Sequence, residues 1–274
     1  MADRQLNPAR STTPLQSDWL TRLVLLGFLT LLFIPFLGSS GLWDPWETHY
    51  GEVGRQLIER GDWVSTWWGS HWPNAAGVAE GTYFFSKPIL LMWMMGLGME
   101  VFGVNSWGIR VGVGLTAIVA CYAVYLMGRQ IWGRKPAVVM SIAVATSPTF
   151  ALLARQAQTD MPFVGLMTAG LAFLMMAWFG KEREQRARKR DIVLASLLWL
   201  ALVAPQAQLL WVKLQGASAM TMSFTTRVVL PVSAVMIVWS VVLLIAGRFR
   251  RPLRRDVWLV YAYMFIALAT LAKG

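Results

Sequence analysis

The stretch Leu23–Tyr50 reads LVLLGFLTLLFIPFLGSSGLWDPWETHY. Its first part, Leu23–Ser40, is an uncharged apolar run. Its end, "LWDPWETHY" (Leu42–Tyr50), sets Asp44, Glu47 and His49 where that run stops. The run is long enough to cross a bilayer core, which takes about 17–25 helical residues. A cleaved leader is the other reading. The long segment before the run, the lack of an A-x-A site after it and the further apolar runs beyond it all favour a span.

The pattern recurs in Val111–Met127, Ala137–Ala154, Met161–Gly180, Ile192–Val212, Val228–Gly247 and Val257–Ala272. The 274 residues are 56% hydrophobic and only 14% charged, against about 25% charged in an ordinary soluble domain. The expected fold is therefore all-α: a polytopic transmembrane helical bundle of about seven spans, with amphipathic or re-entrant helices on its outer face. The single cysteine, Cys121, falls within a span and leaves no intrachain disulfide.

The net charge of +11 does not point to nucleic acid, because of where the cations lie. They cluster between spans in "GRQIWGRK" (Gly128–Lys135), "KEREQRARKR" (Lys181–Arg190) and "GRFRRPLRR" (Gly247–Arg255). Short basic loops mark the cytoplasmic side. Residues 1–22 are then a cytoplasmic tail and 23–274 the membrane domain, with 41–107 a long external region. Pro88–Gly103 is apolar but short and carries Glu100; a re-entrant or interfacial helix keeps the charge rule intact. The chain closes on "LATLAKG" with no tail or cap, and a fragment of a longer protein is expected.

The external region is rich in Trp: Trp43, Trp46, Trp63, Trp67, Trp68, Trp72, Trp93 and Trp107. Trp favours the headgroup level, so most of these read as anchors, with sugar or lipid contact the sharper alternative. From Asp44 the sequence also reads as an amphipathic helix. Asp44 is a good N-cap, Pro45 suits the first turn, Glu47 completes a capping box and Gly61 stops the helix. Against a purely capping role stand the further carboxylates Glu52, Glu59 and Asp62 nearby, and another acid, Asp160, in "ARQAQTDMP" (Ala154–Pro162). An ionisable group at the edge of a span is a functional candidate, although Thr159 or Asp160 also suits a helix start. Arg155 stands one turn earlier and is expected to pair with Asp160 or a phosphate. Lys87, in "FFSKPILL" (Phe84–Leu91), either snorkels or holds a lipid phosphate. Arg110 has the same two readings.

Signatures of soluble enzyme classes are missing: there is no P-loop, G-x-S-x-G, H-E-x-x-H or C-x-x-C. His49 and His71 lack metal-ligand spacing, so no metal set is assigned and a divalent cation stays open. Acids, cations and aromatics at one bilayer surface suit a phosphorylated lipid carrying a polar group. A transporter or flippase is the rival reading and requires charges mid-span, which the seven runs lack. A membrane scaffold is the third.

The motifs resemble the GT-C membrane glycosyltransferases, in the branch of aminoarabinose transferases and protein O-mannosyltransferases. An outer loop of the form L-W-x-P-D-E-x-x-Y, then GDW, F-x-K-P, FG-x-N-x-x-x-x-R, GR-x-x-[FW]G and AR-x-x-x-TD-x-P match in order. They fall at Leu42–Tyr50, Gly61–Trp63, Phe85–Pro88, Phe102–Arg110, Gly128–Gly133 and Ala154–Pro162. The resemblance implies transfer of a sugar from a polyprenyl phosphate to a lipid, glycan or protein acceptor on the outer face of a bacterial inner membrane. It implies Lys87 and Arg155 at phosphate, with His49, Tyr50 and Arg110 also on substrate. Glu47, Asp44 and Asp160 would activate the acceptor or position the sugar. At the family's loop acid this chain has Trp46, so either Glu47 or Asp44 takes that role. His49 stands at the family's loop arginine, and Ser86 where the aminoarabinose branch has Glu before the lysine.

Overall fold

The structure is a computed structural model and describes residues 19–70, 73–78, 80–199 and 252–273. Helix α1 (Trp19–Phe33) leads to α2 (Trp46–Arg60). A small antiparallel pair follows, β1 (Trp67–Trp68) with β2 (Thr82–Tyr83), Trp67 opposite Tyr83. Then come α3 (Leu90–Phe102), α4 (Ser106–Ile131), α5 (Arg134–Ala145), α6 (Pro148–Leu153) and α7 (Asp160–Phe179). Residues 189–199 are helical (α8), and α9 (Arg254–Ala272) completes the described part. The expected helical fold holds, with the small β pair as an addition.

Among the described residues α4, α7 and α9 are long and apolar enough to cross a membrane. Two expected spans differ in detail. The run Leu23–Ser40 is helical only to Phe33, and turns follow through Pro35 and Gly38. The run Ala137–Ala154 is not one helix: α5 ends at Ala145 and α6 starts at Pro148. Proline disfavours helical backbone in the residue before it, and Ser147 is extended, with ψ 125°. The runs Val228–Gly247 and most of Ile192–Val212 lie outside the described residues.

Helix α7 packs between α4 and α9, and α3 lies against both α2 and α4. One cluster forms the main core, with Leu29, Phe33, Tyr50, Val53, Leu57, Met92, Met95, Met99 and Tyr125 among its members. The short apolar segment Pro88–Gly103 is thus a helix packed into the bundle, its Leu91, Met92, Met95 and Met99 all buried. Glycine permits its approach to α4. A methyl at Gly98 would run into the Gly108 carbonyl oxygen, and one at Gly108 into the Gly103 carbonyl. Gly98→Ala should therefore lower the detergent melting temperature, at a cost of about 1–3 kcal/mol for overpacking. Gly27→Ala, with open space around the site, should leave it unchanged or slightly raised.

The polar groups sort to opposite ends of the bundle. Gln130, at the end of α4, donates to Glu182 at 3.0 Å, and Arg254, at the start of α9, pairs with the same carboxylate. Arg186 bridges to Leu253. All three basic runs therefore meet at one end. At the other end Lys273 pairs with Asp160 at the start of α7, and Arg110 lies one turn into α4. The separation is about 30 Å at 1.5 Å per helical residue, the thickness of a bilayer core.

Candidate functional site

Glu47 and Arg110 form the hub of the non-basic end. They lie on α2 and α4 and are 0% and 1% exposed. Arg110 Nε donates to Glu47 Oε1 at 2.8 Å and Nη2 to Oε2 at 2.6 Å, a bidentate pair. The remaining guanidinium hydrogens go to the chain leaving α1: to Leu37 O at 2.6 Å, Ser40 O at 3.0 Å and Gly41 O at 2.7 Å. Glu47 also accepts from Ala157 N at 2.6 Å and Trp43 N at 2.8 Å. One buried pair thus joins the segments 37–43 and 155–157 to helices α2 and α4. Burial raises the Glu47 pKa, but hydrogen bonds from Arg110, Ala157 and Trp43 outweigh it, and the carboxyl lies below its ordinary range.

This geometry revises three expectations. Glu47, one of the two acids expected in the catalytic role, is fully buried with both oxygens hydrogen-bonded. Arg110 was expected on substrate; its guanidinium hydrogens go instead to Glu47 and to the carbonyls of Leu37, Ser40 and Gly41. The capping box of Asp44 and Glu47 does not form. Helix α2 starts at Trp46 after a cis Asp44–Pro45 peptide, and no side chain caps its first turn. Glu47 turns inward to Arg110, and Asp44 instead accepts from Thr48 Oγ1 at 2.6 Å. The expected stop at Gly61 is present, in left-handed conformation with φ 63°.

A cavity of about 200 Å³ lies against the first turns of α2. Its lining comes from two of the sequence motifs: Pro45, Trp46, His49 and Tyr50 from the first, Ser86 and Lys87 from the second, with Phe84 between. The walls are aromatic. The His49 ring stacks on Trp68 at 4.8 Å and tilts on Phe84 at 5.0 Å, and Trp46 stacks on Tyr50 at 6.1 Å. The Lys87 ammonium is half-buried and has no carboxylate partner among the described residues.

Asp160 lies close by. After burial, its charge is the next cause that pushes the Tyr50 hydroxyl above its ordinary pKa. Asp160 is half-exposed and takes Lys273 as its partner, rather than Arg155. Arg155 donates to Pro35 O at 2.6 Å and does not line the Lys87 cavity. Asp44 is exposed, one residue before the lining begins. Lys87, His49 and Tyr50 are therefore gathered on one cavity, Asp160 acts on Tyr50 only through its charge, and Asp44, Glu47, Arg110 and Arg155 do not line it.

Sequence reasoning did not single out Phe84, Trp68 or Lys273. The first flanks the "FSKP" motif and the last belongs to "LAKG", so motif context was their signal. Trp68 stood only among the external Trp residues read as anchors or sugar contacts, and the β pair sets it against His49. Among the described residues no three His, Cys, Asp or Glu side chains are grouped so that they could hold a metal ion.

Residues 86–203 match the family profile of dolichyl-phosphate-mannose-protein mannosyltransferases. An undecaprenyl phosphate-alpha-4-amino-4-deoxy-L-arabinose arabinosyl transferase from Pseudomonas fluorescens is 31% identical over 156 residues, 55% of this chain and 25% of that protein. Its Pseudomonas aeruginosa counterpart is 30% identical over 167 residues, 60% of this chain and 28% of the relative. The chain thus spans about a quarter of the length of these relatives. The crystal structure of ArnT from Cupriavidus metallidurans in the apo state aligns with 93% of this chain and 42% of its own, at TM-score 0.50 and 24% identity. The same protein bound to undecaprenyl phosphate aligns at TM-score 0.50 and 22% identity, over 93% of this chain and 41% of its own. At these identities the likeness is one of fold.

Proposed function

Because the chain belongs to the aminoarabinose transferase/protein O-mannosyltransferase-like family of GT-C membrane proteins, we propose that it builds the donor site of a membrane glycosyltransferase. The enzyme moves a sugar from a polyprenyl phosphate to a lipid, glycan or protein acceptor at the outer face of the inner membrane. The observation that carries this reading is Lys87: a half-buried lysine with no carboxylate partner among the described residues, in an aromatic-walled cavity.

In the reaction the acceptor hydroxyl attacks the anomeric carbon as the bond to the phosphate oxygen breaks. The transition state is oxocarbenium-like, as in glycoside cleavage. Lys87 stabilises the charge that collects on the departing polyprenyl phosphate. Asp160, or Asp44 beside the cavity, takes the acceptor proton. Trp46, Tyr50 and His49 offer ring faces and edges to the sugar. Glu47 and Arg110 hold the loops that carry these groups. Incubating the intact protein in proteoliposomes with radiolabelled hexose, pentose or aminopentose on undecaprenyl phosphate tests the reading. At least one label should pass to an acceptor supplied from cell-envelope extract. No transfer from any donor would reject it.

The reading includes seven crossings, with the cavity end outside and the basic end in the cytoplasm. The meeting of the three basic runs supports this orientation. In intact cells, a cysteine placed at Ala76 should label with an impermeant maleimide, and one at Gln185 should not. Native Cys121 is fully buried and should stay silent. Labelling at Gln185 alone would invert the topology.

A further inference from the structure

A second cavity, of about 500 Å³, shares no lining residue with the Lys87 cavity. Phe36, Leu37, Trp43 and Leu152 supply its apolar part, and Arg155 and Gln156 its key polar groups. Arg110 also borders it, but its charge is matched by Glu47 and its donors are used. Arg155 differs. Its one hydrogen bond goes to Pro35 O, and among the described residues it has no carboxylate partner. Gln156 is only 8% exposed, yet its side-chain amide has no hydrogen bond among the described residues.

The Gln156 amide and the remaining Arg155 N–H groups are thus left with hydrogen-bonding capacity for a ligand in the cavity. The guanidinium fork matches phosphate oxygens, and the amide adds a donor. The rings of Phe36 and Trp43 are 78% and 56% exposed, which suits an apolar body attached to that phosphate.

We propose that this cavity is a second phosphate-binding site, which takes a phosphate group through Arg155 and Gln156. It is independent of the donor phosphate at Lys87, so the enzyme holds two anionic groups at once. The phosphate can belong to an amphiphile or be free in solution, and the two are separable. The intact protein in detergent is titrated with dioleoylphosphatidic acid, with uncharged dioleoylglycerol and with sodium phosphate, and bound states are counted by native mass spectrometry. Phosphatidic acid should bind saturably and dioleoylglycerol at least about tenfold more weakly. In a Lys87→Ala background, which removes the donor-phosphate lysine, phosphatidic acid should still bind, and adding Arg155→Gln or Gln156→Leu should weaken it by roughly tenfold or more. Should Arg155→Gln fail to fold, Gln156→Leu alone decides. If sodium phosphate binds alone and displaces the lipid, the ligand is free phosphate; if only the lipid binds, it is a headgroup. Equal binding of dioleoylglycerol, unchanged affinity in both variants, or no phosphatidic acid binding at all in the Lys87→Ala protein would each overturn the proposal. Sugar transfer is not read, so this test is separate from that of the donor site.

Discussion

Arg110→Met should destabilise the protein by about 3–5 kcal/mol, the usual cost of removing one partner from a buried ion pair. Glu47 would be left with two amide hydrogens and no cation, and the carbonyls of Leu37, Ser40 and Gly41 would lose their donor. Arg110→Lys should recover only part of the loss, because an ammonium cannot reproduce the bidentate fork. Glu47→Gln should cost a comparable amount, since it buries an uncompensated guanidinium. Thermal melting in detergent reads all three. The pair also has a pH signature. A carboxyl whose folded pKa is depressed stabilises the fold above its ordinary value of 4.5, and that stability is lost as pH falls through the folded value. The wild-type melting temperature should therefore drop below about pH 4.5 by more than that of Glu47→Gln. Variants that melt with the wild type would show that the hub does not hold the site.

Lys87→Ala should instead spare the fold and remove the reaction. The side chain has no partner among the described residues, so its loss should shift stability by no more than about 0.5 kcal/mol. Transfer should fall by roughly 10²–10³-fold, as when a preorganised donor to a developing anion is deleted. Lys87→Arg keeps the charge and should retain a fraction of the rate. Asp160→Asn should lower turnover by roughly 10²–10⁴-fold if Asp160 is the base; if Asp44→Asn shows that drop instead, the base is Asp44. Near-normal turnover in Lys87→Ala would mean that this lysine only snorkels.

Much of this architecture was legible in the sequence, for physical reasons. Hydropathy marks α4, α7 and α9 because each must be apolar along its whole length to sit in a bilayer. The charge rule sorts the three basic runs, and they do meet at one end of the bundle. The lining of the Lys87 cavity was legible through two short motifs, since Trp46–Tyr50 and Ser86–Lys87 are each local. The hub was not. Glu47 and Arg110 are far apart in sequence, and each alone looks like a charge kept for a substrate. Only the packing of α2 on α3, and of α3 on α4 through Gly98 and Gly108, brings them together. Arg155 fails to pair with Asp160 for the same reason. Its neighbour Asp160 is close in sequence, but the turn between α6 and α7 sends the two side chains to different partners. The break at Pro148 was legible in principle, because proline penalises the helical backbone before it, but the uniform apolarity of Ala137–Ala154 hid it.

The central claim is that a polyprenyl phosphate seats its phosphate at Lys87. Photocrosslinking tests it directly, using the intact protein in proteoliposomes and an undecaprenyl phosphate with a diazirine beside the phosphate. Saturable adducts should map by mass spectrometry to Phe84–Lys87 and Trp46–Tyr50, and an excess of unmodified undecaprenyl phosphate should suppress them. Adducts confined to other segments, or unaffected by the competitor, would contradict the account.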